Sequence, residues 1–316
     1  MKKKAIVVVG ATASGKTALG VHIAKKFNGE VISADSMQIY KGMNIATAKP
    51  TTEEMDGVKH HLIDFVDVHS QYSVSAYCED ARLVFDEITA RCKLPVIVGG
   101  TGLYIDSFLS NTKFLQSASS DSVRKELLQE VEKNGIESLY EQLKIIDPDA
   151  AKNIHPNNVV RVVRAFEIYK TTGKTLSEQN KLSHTVETDI EPLYIGINYA
   201  DREKLYDRIN LRVDLMLNKG LLDEAKLFFN DNPSKTAFNA IGYKELKPYF
   251  DGDLSIDMCV ENLKRETRRY AKRQITWFKR NQKINWVYPD LVSQDELFHS
   301  VDKLAESYLG GDIFEE

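Results

Sequence analysis

The sequence predicts an α/β fold in which a parallel sheet is flanked by helices and carries a helical insertion domain. Short apolar runs alternate with segments of helical spacing, and a glycine-rich loop joins the first run to the first helix. Residues 117–181 show helical spacing without a strand signal. Strands that alternate with helices form parallel sheets covered on both faces. We therefore expect a core domain at 1–115 and 185–316 and a helical insertion domain at 116–184.

The composition is that of an ordinary globular chain of 316 residues, of which 42% are hydrophobic and 28% charged. Apolar runs such as Ala5–Val9 are far shorter than the roughly 20 residues that span a bilayer, so we expect no membrane segment. The three cysteines lack metal-ligand spacing and are typical of free thiols in a reducing cytoplasm. The net charge of −4 means that nucleic-acid binding requires a local basic patch. We expect a cytoplasmic monomer.

The first half of the chain supplies most of the predicted sheet. We expect strands at 3–9, 30–35, around 61–66 and at 94–98, and helices at 16–27 and about 74–91. The strand at 30–35 ends in Asp35, and the strand at 94–98 leads into the turn Gly-Gly-Thr-Gly at 99–102. His60 and His61 are adjacent on a strand and so face opposite sides, which favours packing or hydrogen bonding over a metal site.

The second half is predicted to be mostly helical. A strand at 193–199 returns to the sheet after the insertion. Helices are expected near 201–219, 221–229, 240–249 and 256–280, followed by a short strand at 285–288 and a terminal helix.

The loop GATASGKT at 10–17 has the spacing of a phosphate-binding P-loop, with a strand before it and a helix after it. Backbone N–H groups at the helix N-terminus would bind an anion, Lys16 adds a charge, and the Thr17 hydroxyl suits Mg²⁺. The sheet is therefore predicted to be P-loop NTPase-like. The predicted phosphate-binding residues are Gly10, Ala11, Thr12, Ala13, Ser14, Gly15, Lys16 and Thr17.

Several features of P-loop NTPases are missing from the sequence. No aspartate has a glycine three residues later, and the run NKGL at 218–221 lacks the final acid of a guanine-binding motif. An ATPase usually carries an apolar strand that ends in an acid, whereas the strand at 94–98 ends in glycines. The sequence thus argues against a GTPase and weakens the case for an ATPase.

Seven further motifs resemble those of the tRNA dimethylallyltransferases. They are DSMQIY at 35–40, IATAKP at 45–50, GGTGLY at 99–104, HPN at 155–157, RVVRA at 161–165, IGY at 241–243 and AKRQITW at 271–277. No cysteine follows Cys259, so the zinc finger of eukaryotic relatives is absent and the chain resembles the bacterial type. The resemblance implies transfer of a dimethylallyl group from dimethylallyl diphosphate to N6 of the adenosine at tRNA position 37, with Mg²⁺ as cofactor.

The resemblance also assigns a catalytic role to Asp35, which follows a strand where open α/β sheets bind their ligands. The amine must lose a proton as the new bond forms, and a nearby carboxylate can accept it. Lys16 and the loop N–H groups would stabilise the charge on the departing diphosphate. Lys16 and Thr101 are predicted to be catalytic together with Asp35, and the Thr101 hydroxyl could contact the base or the diphosphate. The alternatives are a turn or helix-cap aspartate and a threonine in a tight turn.

The tRNA-binding residues are predicted in three groups. Between Lys264 and Lys283 the sequence has nine basic residues and one acid, Glu266, which favours phosphate binding over a solvated charged face. A base in an anticodon loop must be extruded into the pocket. The predicted groups are Asp35, Ser36, Met37, Gln38 and Thr101 around the base, Val159, Val160, Arg161, Val162 and Val163 in the insertion that would clamp the anticodon stem-loop, and Arg269, Lys272 and Arg273 on the basic helix.

Arg208 and Arg212 follow the strand at 193–199 on the predicted helix near 201–219, where they could reach the diphosphate. A surface salt bridge is the alternative for both, and Arg208 is taken as the diphosphate-binding candidate. Two other functions remain open from the residues alone. They are a P-loop kinase for small molecules, which would need an arginine-bearing lid, and a non-catalytic RNA-binding protein.

Overall fold

The computed structural model describes residues 2–112, 121–183 and 187–310. The strands are β1 (Lys3–Gly10), β2 (Gly29–Ser33), β3 (His60–His61), β4 (Leu94–Gly99), β5 (Ile190–Ile197) and β6 (Ile284–Val287). The helices before the insertion are α1 (Lys16–Lys26), α2 (Thr52–Met55), α3 (Val74–Ala90) and α4 (Gly102–Leu109). Those of the insertion are α5 (Asp121–Asn134), α6 (Ile136–Ile146), α7 (Pro148–Asn153), α8 (Val159–Thr172) and α9 (Leu176–Ser183). The remaining helices are α10 (Arg202–Asn218), α11 (Leu221–Asn230), α12 (Lys235–Phe238), α13 (Lys247–Phe250), α14 (Ile256–Phe278) and α15 (Gln294–Leu309).

The described strands form one parallel sheet in the order β3-β2-β4-β1-β5-β6. This arrangement confirms the predicted P-loop NTPase-like α/β class. β1 lies between β4 and β5, and β2 pairs with the other side of β4. The carboxyl ends of these four strands therefore meet at one edge, where ligands bind in open α/β sheets.

Alternation along β1 explains why helices cover both faces of the sheet. Ala5, Val7 and Val9 pack into one apolar cluster with residues of α3 and α4. Ile6 and Val8 pack into another with residues of α1 and α15. Successive side chains of a strand point to opposite faces, so a continuous apolar run can bury residues on both faces of the sheet.

Two predicted elements were wrong in extent. The strand predicted around 61–66 is limited to His60–His61, because Leu62 and Asp64 have left-handed backbones with φ of 59° and 58°. The helix predicted at 240–249 is replaced by α12 and α13, and Gly242 with φ of 110° lies between them. Positive φ values interrupt both regular strands and regular helices.

The expectation that His60 and His61 make hydrogen bonds is confirmed. His60 Nδ1 lies 2.9 Å from Val58 O, and His61 Nε2 lies 2.7 Å from Glu30 Oε2. Burial by itself would raise the pKa of Glu30, but hydrogen bonds from His61, Lys93 and Arg91 lower it to about 2. His61 is therefore part of an ion-pair cluster around the buried Glu30, whereas His60 contacts the backbone.

The chain divides into two compact units. One comprises Met1–Leu109 and Asp189–Glu316, and the other comprises Ser110–Thr188. The second unit has its own core, in which Leu127, Leu139, Val162 and Phe166 are buried. The predicted insertion boundaries at 115–116 and 184–185 lie outside the described residues. Across the described ranges, no helix combines the length and apolar character needed to cross a membrane.

Candidate active site

A cleft of about 540 Å³ opens at the carboxyl edge of the sheet in the first unit. We call it the active-site cleft. Its lining combines the P-loop, the Asp35 turn, a loop at 44–49, and residues of α10 and α14. The cleft thus brings together Lys16, Thr17, Asp35, Gln38 and Arg208, which the sequence predicted as site residues.

The P-loop has the backbone shape of an anion cradle. Ala13 and Gly15 have left-handed backbones, with φ of 62° and 101°, and Gly15 caps the N-terminus of α1. A Cβ on Gly10 would lie 2.6 Å from Ile197 O, so glycine is required where β1 runs beside β5. Consecutive turns of this kind aim N–H groups at one point, and the helix N-terminus adds partial positive charge.

Lys16 and Ser14 add donors to this cradle. Lys16 Nζ donates to Ala11 O over 2.6 Å, which folds the side chain across the loop. Burial lowers the pKa of Lys16 to about 8, while the negative charge of Asp35 opposes that shift. Ser14 Oγ is buried and has no hydrogen-bond partner among the described residues. An anion bound in the loop would supply the missing acceptor.

Two arginines of α10 approach the same loop. Arg208 Nε donates to Ala13 O over 3.1 Å, and an Arg212 N–H donates to Thr12 Oγ1 over 3.3 Å. Burial lowers the pKa of Arg212, and Asp35 favours its charged form. The structure therefore turns both guanidinium groups toward the P-loop, which argues against the alternative of a surface salt bridge.

Asp35 lies just beyond β2, and its two carboxylate oxygens have different surroundings. Oδ1 accepts from the backbone N–H groups of Met37 and Gln38 over 2.9 and 3.3 Å, so it closes a turn. Oδ2 has no hydrogen-bond partner among the described residues. The turn role and a role as base are thus compatible, because one oxygen fixes the carboxylate and the other remains available in the cleft.

Thr101 is joined directly to the Asp35 turn. Its Oγ1 accepts from Ser36 N over 3.1 Å and lies 3.3 Å from Ser36 Oγ, while Thr101 N donates to Ala34 O over 3.1 Å. A Cβ on Gly99 would lie 2.2 Å from Ala34 O, so the close approach of β2 and β4 requires glycine. The two loops predicted to carry catalytic residues therefore form one unit.

Gln274 and Tyr270 of α14 complete this part of the cleft, and neither was predicted as a site residue. Gln274 is buried and hydrogen-bonds both Thr12 N and Gly100 O. Burial raises the pKa of Tyr270, whose phenol also interacts with Thr101 and Gln274. The motif at 271–277 contained Gln274, but its contacts depend on the packing of α14 against two distant loops.

The 44–49 loop is fixed by Glu224 of α11, a residue that no sequence motif indicated. The Glu224 carboxylate accepts from the N–H groups of Asn44, Ile45 and Ala46 over 2.8–3.0 Å and from the Tyr243 hydroxyl over 2.8 Å. A Cβ on Gly242 would lie 2.8 Å from Ala46 Cβ. The motifs at 45–50 and 241–243 therefore pack against each other.

The basic helix α14 presents two kinds of cationic residue. Lys264 pairs with Asp214 over 2.8 Å and Arg268 donates to Asn210 over 2.6 Å, so both contact α10. Arg269, Lys272 and Arg273 are exposed. Arg269 also pairs with Glu266 over 2.6 Å. The exposed group provides the local positive surface that the sequence predicted.

The predicted tRNA-binding segment of the insertion has a buried and an exposed side. Val162 and Val163 are buried in the core of the second unit. Val159 is half-buried, whereas Val160 and Arg161 are exposed. Only the exposed side chains are available to a partner.

A parallel sheet, a P-loop and a carboxylate beside it define a class of enzymes that act on polyphosphate substrates. The model of the IPP transferase family matches residues 38–281. A tRNA dimethylallyltransferase of Acetivibrio thermocellus is 49% identical over 92% of this chain and 93% of its own length. The full-length tRNA isopentenylpyrophosphate transferase of Bacillus halodurans has a similar structure, with a TM-score of 0.74 and 41% identity over 98% of this chain and 97% of that one.

A eukaryotic dimethylallyltransferase whose structure was solved acting on tRNA is also similar. It has a TM-score of 0.80 and 31% identity over 99% of this chain and 81% of that one. The chain therefore belongs to the tRNA dimethylallyltransferase family, the IPP transferases. This membership places it among the enzymes that transfer a prenyl group to tRNA, rather than among the small-molecule kinases, which transfer a phosphoryl group, or the non-catalytic RNA-binding proteins.

Proposed function

We propose that the chain transfers the dimethylallyl group of dimethylallyl diphosphate to N6 of the adenosine at tRNA position 37 and releases diphosphate. The observation that carries this proposal is the placement of Asp35 and Lys16 in one cleft, where Asp35 Oδ2 has no hydrogen-bond partner among the residues that the structure describes. The acceptor amine and the leaving group require opposite electrostatic environments. The carboxylate and the P-loop supply these two environments side by side.

The P-loop, Lys16 and Arg208 bind the diphosphate in this proposal. As the allylic C–O bond breaks, its electron pair moves onto the diphosphate. Fixed N–H donors and two cationic side chains stabilise that charge without reorganising. Arg212 belongs to the same group, because its guanidinium contacts Thr12.

Asp35 acts on the amine. The N6 nitrogen forms a bond to the allylic carbon and loses one proton, which Asp35 Oδ2 accepts. Thr101 and Ser36 keep the Asp35 turn in place through their mutual hydrogen bonds. General-base assistance of this kind contributes roughly 10²–10⁴-fold to a rate.

Mg²⁺ is proposed as the cofactor, bound by the Thr17 hydroxyl and by diphosphate oxygens. The described residues contain no group of three His, Cys, Asp or Glu side chains that could hold a metal ion. A site with one protein hydroxyl suits Mg²⁺, which keeps several waters and binds through substrate phosphates. The ion would neutralise charge on the leaving diphosphate.

We assign tRNA binding to Asp35, Ser36, Met37, Gln38 and Thr101 around the base and to the exposed residues Val160, Arg161, Arg269, Lys272 and Arg273. Free thiols at Cys78, Cys92 and Cys259 are compatible with a cytoplasmic location, where tRNA is found. We propose that the chain works there as a monomer.

Radiolabelled dimethylallyl diphosphate, incubated with unmodified tRNA and Mg²⁺, tests the function. We expect label in the tRNA and free diphosphate in equal amounts. ATP labelled in the γ-phosphate serves as the parallel substrate, with small-molecule acceptors. Phosphoryl transfer from ATP, without label from the prenyl donor in tRNA, would overturn the proposal.

A further inference from the structure

The side-chain amide of Gln38 has a defined orientation. Its Nε2 donates to Thr47 O over 3.2 Å and to Ala48 O over 3.1 Å, so both amide hydrogens are used. Turning the amide over would place Oε1 against two carbonyl oxygens, with no donor between them. The two carbonyls therefore determine which end of the amide is an acceptor.

Those carbonyls belong to the 44–49 loop, which is fixed from three sides. Glu224 accepts from three backbone N–H groups at 44–46. Thr47 Oγ1 donates to Met43 O over 2.6 Å, and Lys49 Nζ donates to Tyr40 O over 2.8 Å. A loop with this many bonds keeps its carbonyls in place, and these in turn keep the Gln38 amide in place.

Oε1 of Gln38 is left as an unused acceptor. Among the described residues it has no hydrogen-bond partner. It is also not a buried atom, so a ligand can reach it. Gln38 and Asp35 both line the active-site cleft. The Asp35 turn joins them, because Asp35 Oδ1 accepts from Gln38 N. Two side-chain acceptors, Asp35 Oδ2 and Gln38 Oε1, thus border one cavity.

We propose that Gln38 is a specificity-determining residue that recognises the 6-amino group of the target purine through Oε1; this inference rests on the proposed function. An exocyclic amine has two N–H donors. Asp35 takes the proton that leaves as the C–N bond forms, and Gln38 accepts from the N–H that remains in both substrate and product. A purine with a 6-oxo group has an acceptor at this position instead of a donor. It cannot form a hydrogen bond with Asp35 Oδ2 or Gln38 Oε1 and therefore binds more weakly.

Three anticodon stem-loop RNAs test the inference with the full chain. They differ only at the target nucleotide, which is adenosine, purine riboside with hydrogen in place of the amine, or inosine with a 6-oxo group. Dissociation constants are measured by fluorescence anisotropy for the wild type and for Gln38→Met, which keeps the length but removes the acceptor together with the two Nε2 donors to the loop. Gln282→Met, at an exposed glutamine, is the matched control.

For the wild type we expect adenosine RNA to bind about tenfold more tightly than purine-riboside RNA, with inosine RNA weaker still. Loss of the Nε2 bonds to the loop affects all three RNAs alike, so in Gln38→Met the adenosine RNA should weaken about tenfold more than the purine-riboside RNA does. Equal weakening of all three RNAs would show that Gln38 only supports the loop, and would overturn the inference. So would a wild type that binds adenosine and purine-riboside RNAs equally, a result that needs no variant.

The same preparations distinguish this inference from the proposed function. Transfer of label to the adenosine RNA by the wild type keeps the function, whatever the binding constants show. Absence of transfer by a wild type that binds the RNA would instead overturn the function itself.

Discussion

The side chain of Gln274 accepts a hydrogen bond from the backbone N–H of Thr12 over 2.8 Å, with both groups at the edge of the active-site cleft. Its Nε2 donates to Gly100 O over 3.0 Å. One buried amide thus joins the P-loop to the turn that carries Thr101. Such links hold reacting groups in a fixed geometry before the substrate binds.

Replacing Gln274 by Leu should therefore disturb both binding and stability. The substitution keeps the apolar volume but leaves Thr12 N and Gly100 O without a partner. We expect the free energy of unfolding to fall by about 1–3 kcal/mol and KM for dimethylallyl diphosphate to rise. Denaturant titration and steady-state kinetics measure the two effects. Gln282→Leu, at an exposed site, should change neither, and an unchanged KM in Gln274→Leu would contradict this role.

Asp35→Asn should slow transfer strongly while RNA binding persists. The amide is nearly isosteric, and its oxygen can still accept from Met37 N and Gln38 N, but it cannot take a proton. We expect kcat to fall by about 10²–10⁴-fold, with a dissociation constant for the stem-loop within a few-fold of the wild type. Single-turnover transfer and anisotropy measure these quantities. Activity near that of the wild type would remove Asp35 from the base role.

The P-loop should bind diphosphates less tightly at alkaline pH because the pKa of Lys16 is lowered to about 8. An anion prefers the charged ammonium, so binding is strongest below pH 8 and weakens as the amine deprotonates. Dimethylallyl diphosphate finishes its own ionisation near pH ~6, well below this range. Calorimetry should show a dissociation constant that is nearly flat between the ionisation of the diphosphate at pH ~6 and that of Lys16 at about 8, and that rises at higher pH by at most about tenfold per pH unit. The inflection should disappear in Lys16→Met.

Substitutions at Glu224 and Tyr243, which hydrogen-bond each other, test the role of the 44–49 loop. Glu224→Gln reduces the acceptors for three backbone N–H groups, whereas Tyr243→Phe removes only the phenol donor. We expect Glu224→Gln to lower the free energy of unfolding by about 2 kcal/mol and to raise KM for the stem-loop. Tyr243→Phe should cost about 1 kcal/mol and leave KM nearly unchanged. Identical KM values in the two variants would show that the loop does not influence RNA binding.

The sequence predicted the parts of this protein that depend on local patterns. The P-loop follows from the spacing of Gly10, Gly15 and Lys16, and most strands follow from short apolar runs. The strand around 61–66 was overestimated because an apolar run does not reveal the positive φ of Leu62. Likewise, the helix at 240–249 was predicted without the turn that Gly242 makes against Ala46.

The contacts between distant segments could not be predicted in the same way. Glu224 binds a loop about 180 residues away in sequence, and it looks like an ordinary acidic residue in the first turn of a helix. Gln274 lies 262 residues from Thr12. These residues act through packing that brings their helices to the cleft, and no local spacing encodes that placement.

Reversal of the exposed basic residues of α14 should weaken tRNA binding and reduce its salt dependence. Arg269→Glu with Lys272→Glu removes two cations and adds two anions on a face that the sequence and the structure both present to solvent. The slope of log K against log salt is negative, and each phosphate contact that is lost reduces its magnitude by nearly one. We therefore expect the magnitude of the slope to fall by about 2. Filter binding of tRNA at several salt concentrations measures the slope.

The control for this variant is a reversal of equal charge elsewhere, Lys59→Glu with Lys303→Glu, at two exposed lysines outside α14. Both double variants change the net charge by the same amount. A long-range field would therefore weaken tRNA binding equally in both, whereas direct phosphate contacts would reduce the slope only in the α14 variant. Equal slopes for the α14 variant and the wild type would show that these side chains are merely solvated, and that tRNA binds through other surfaces.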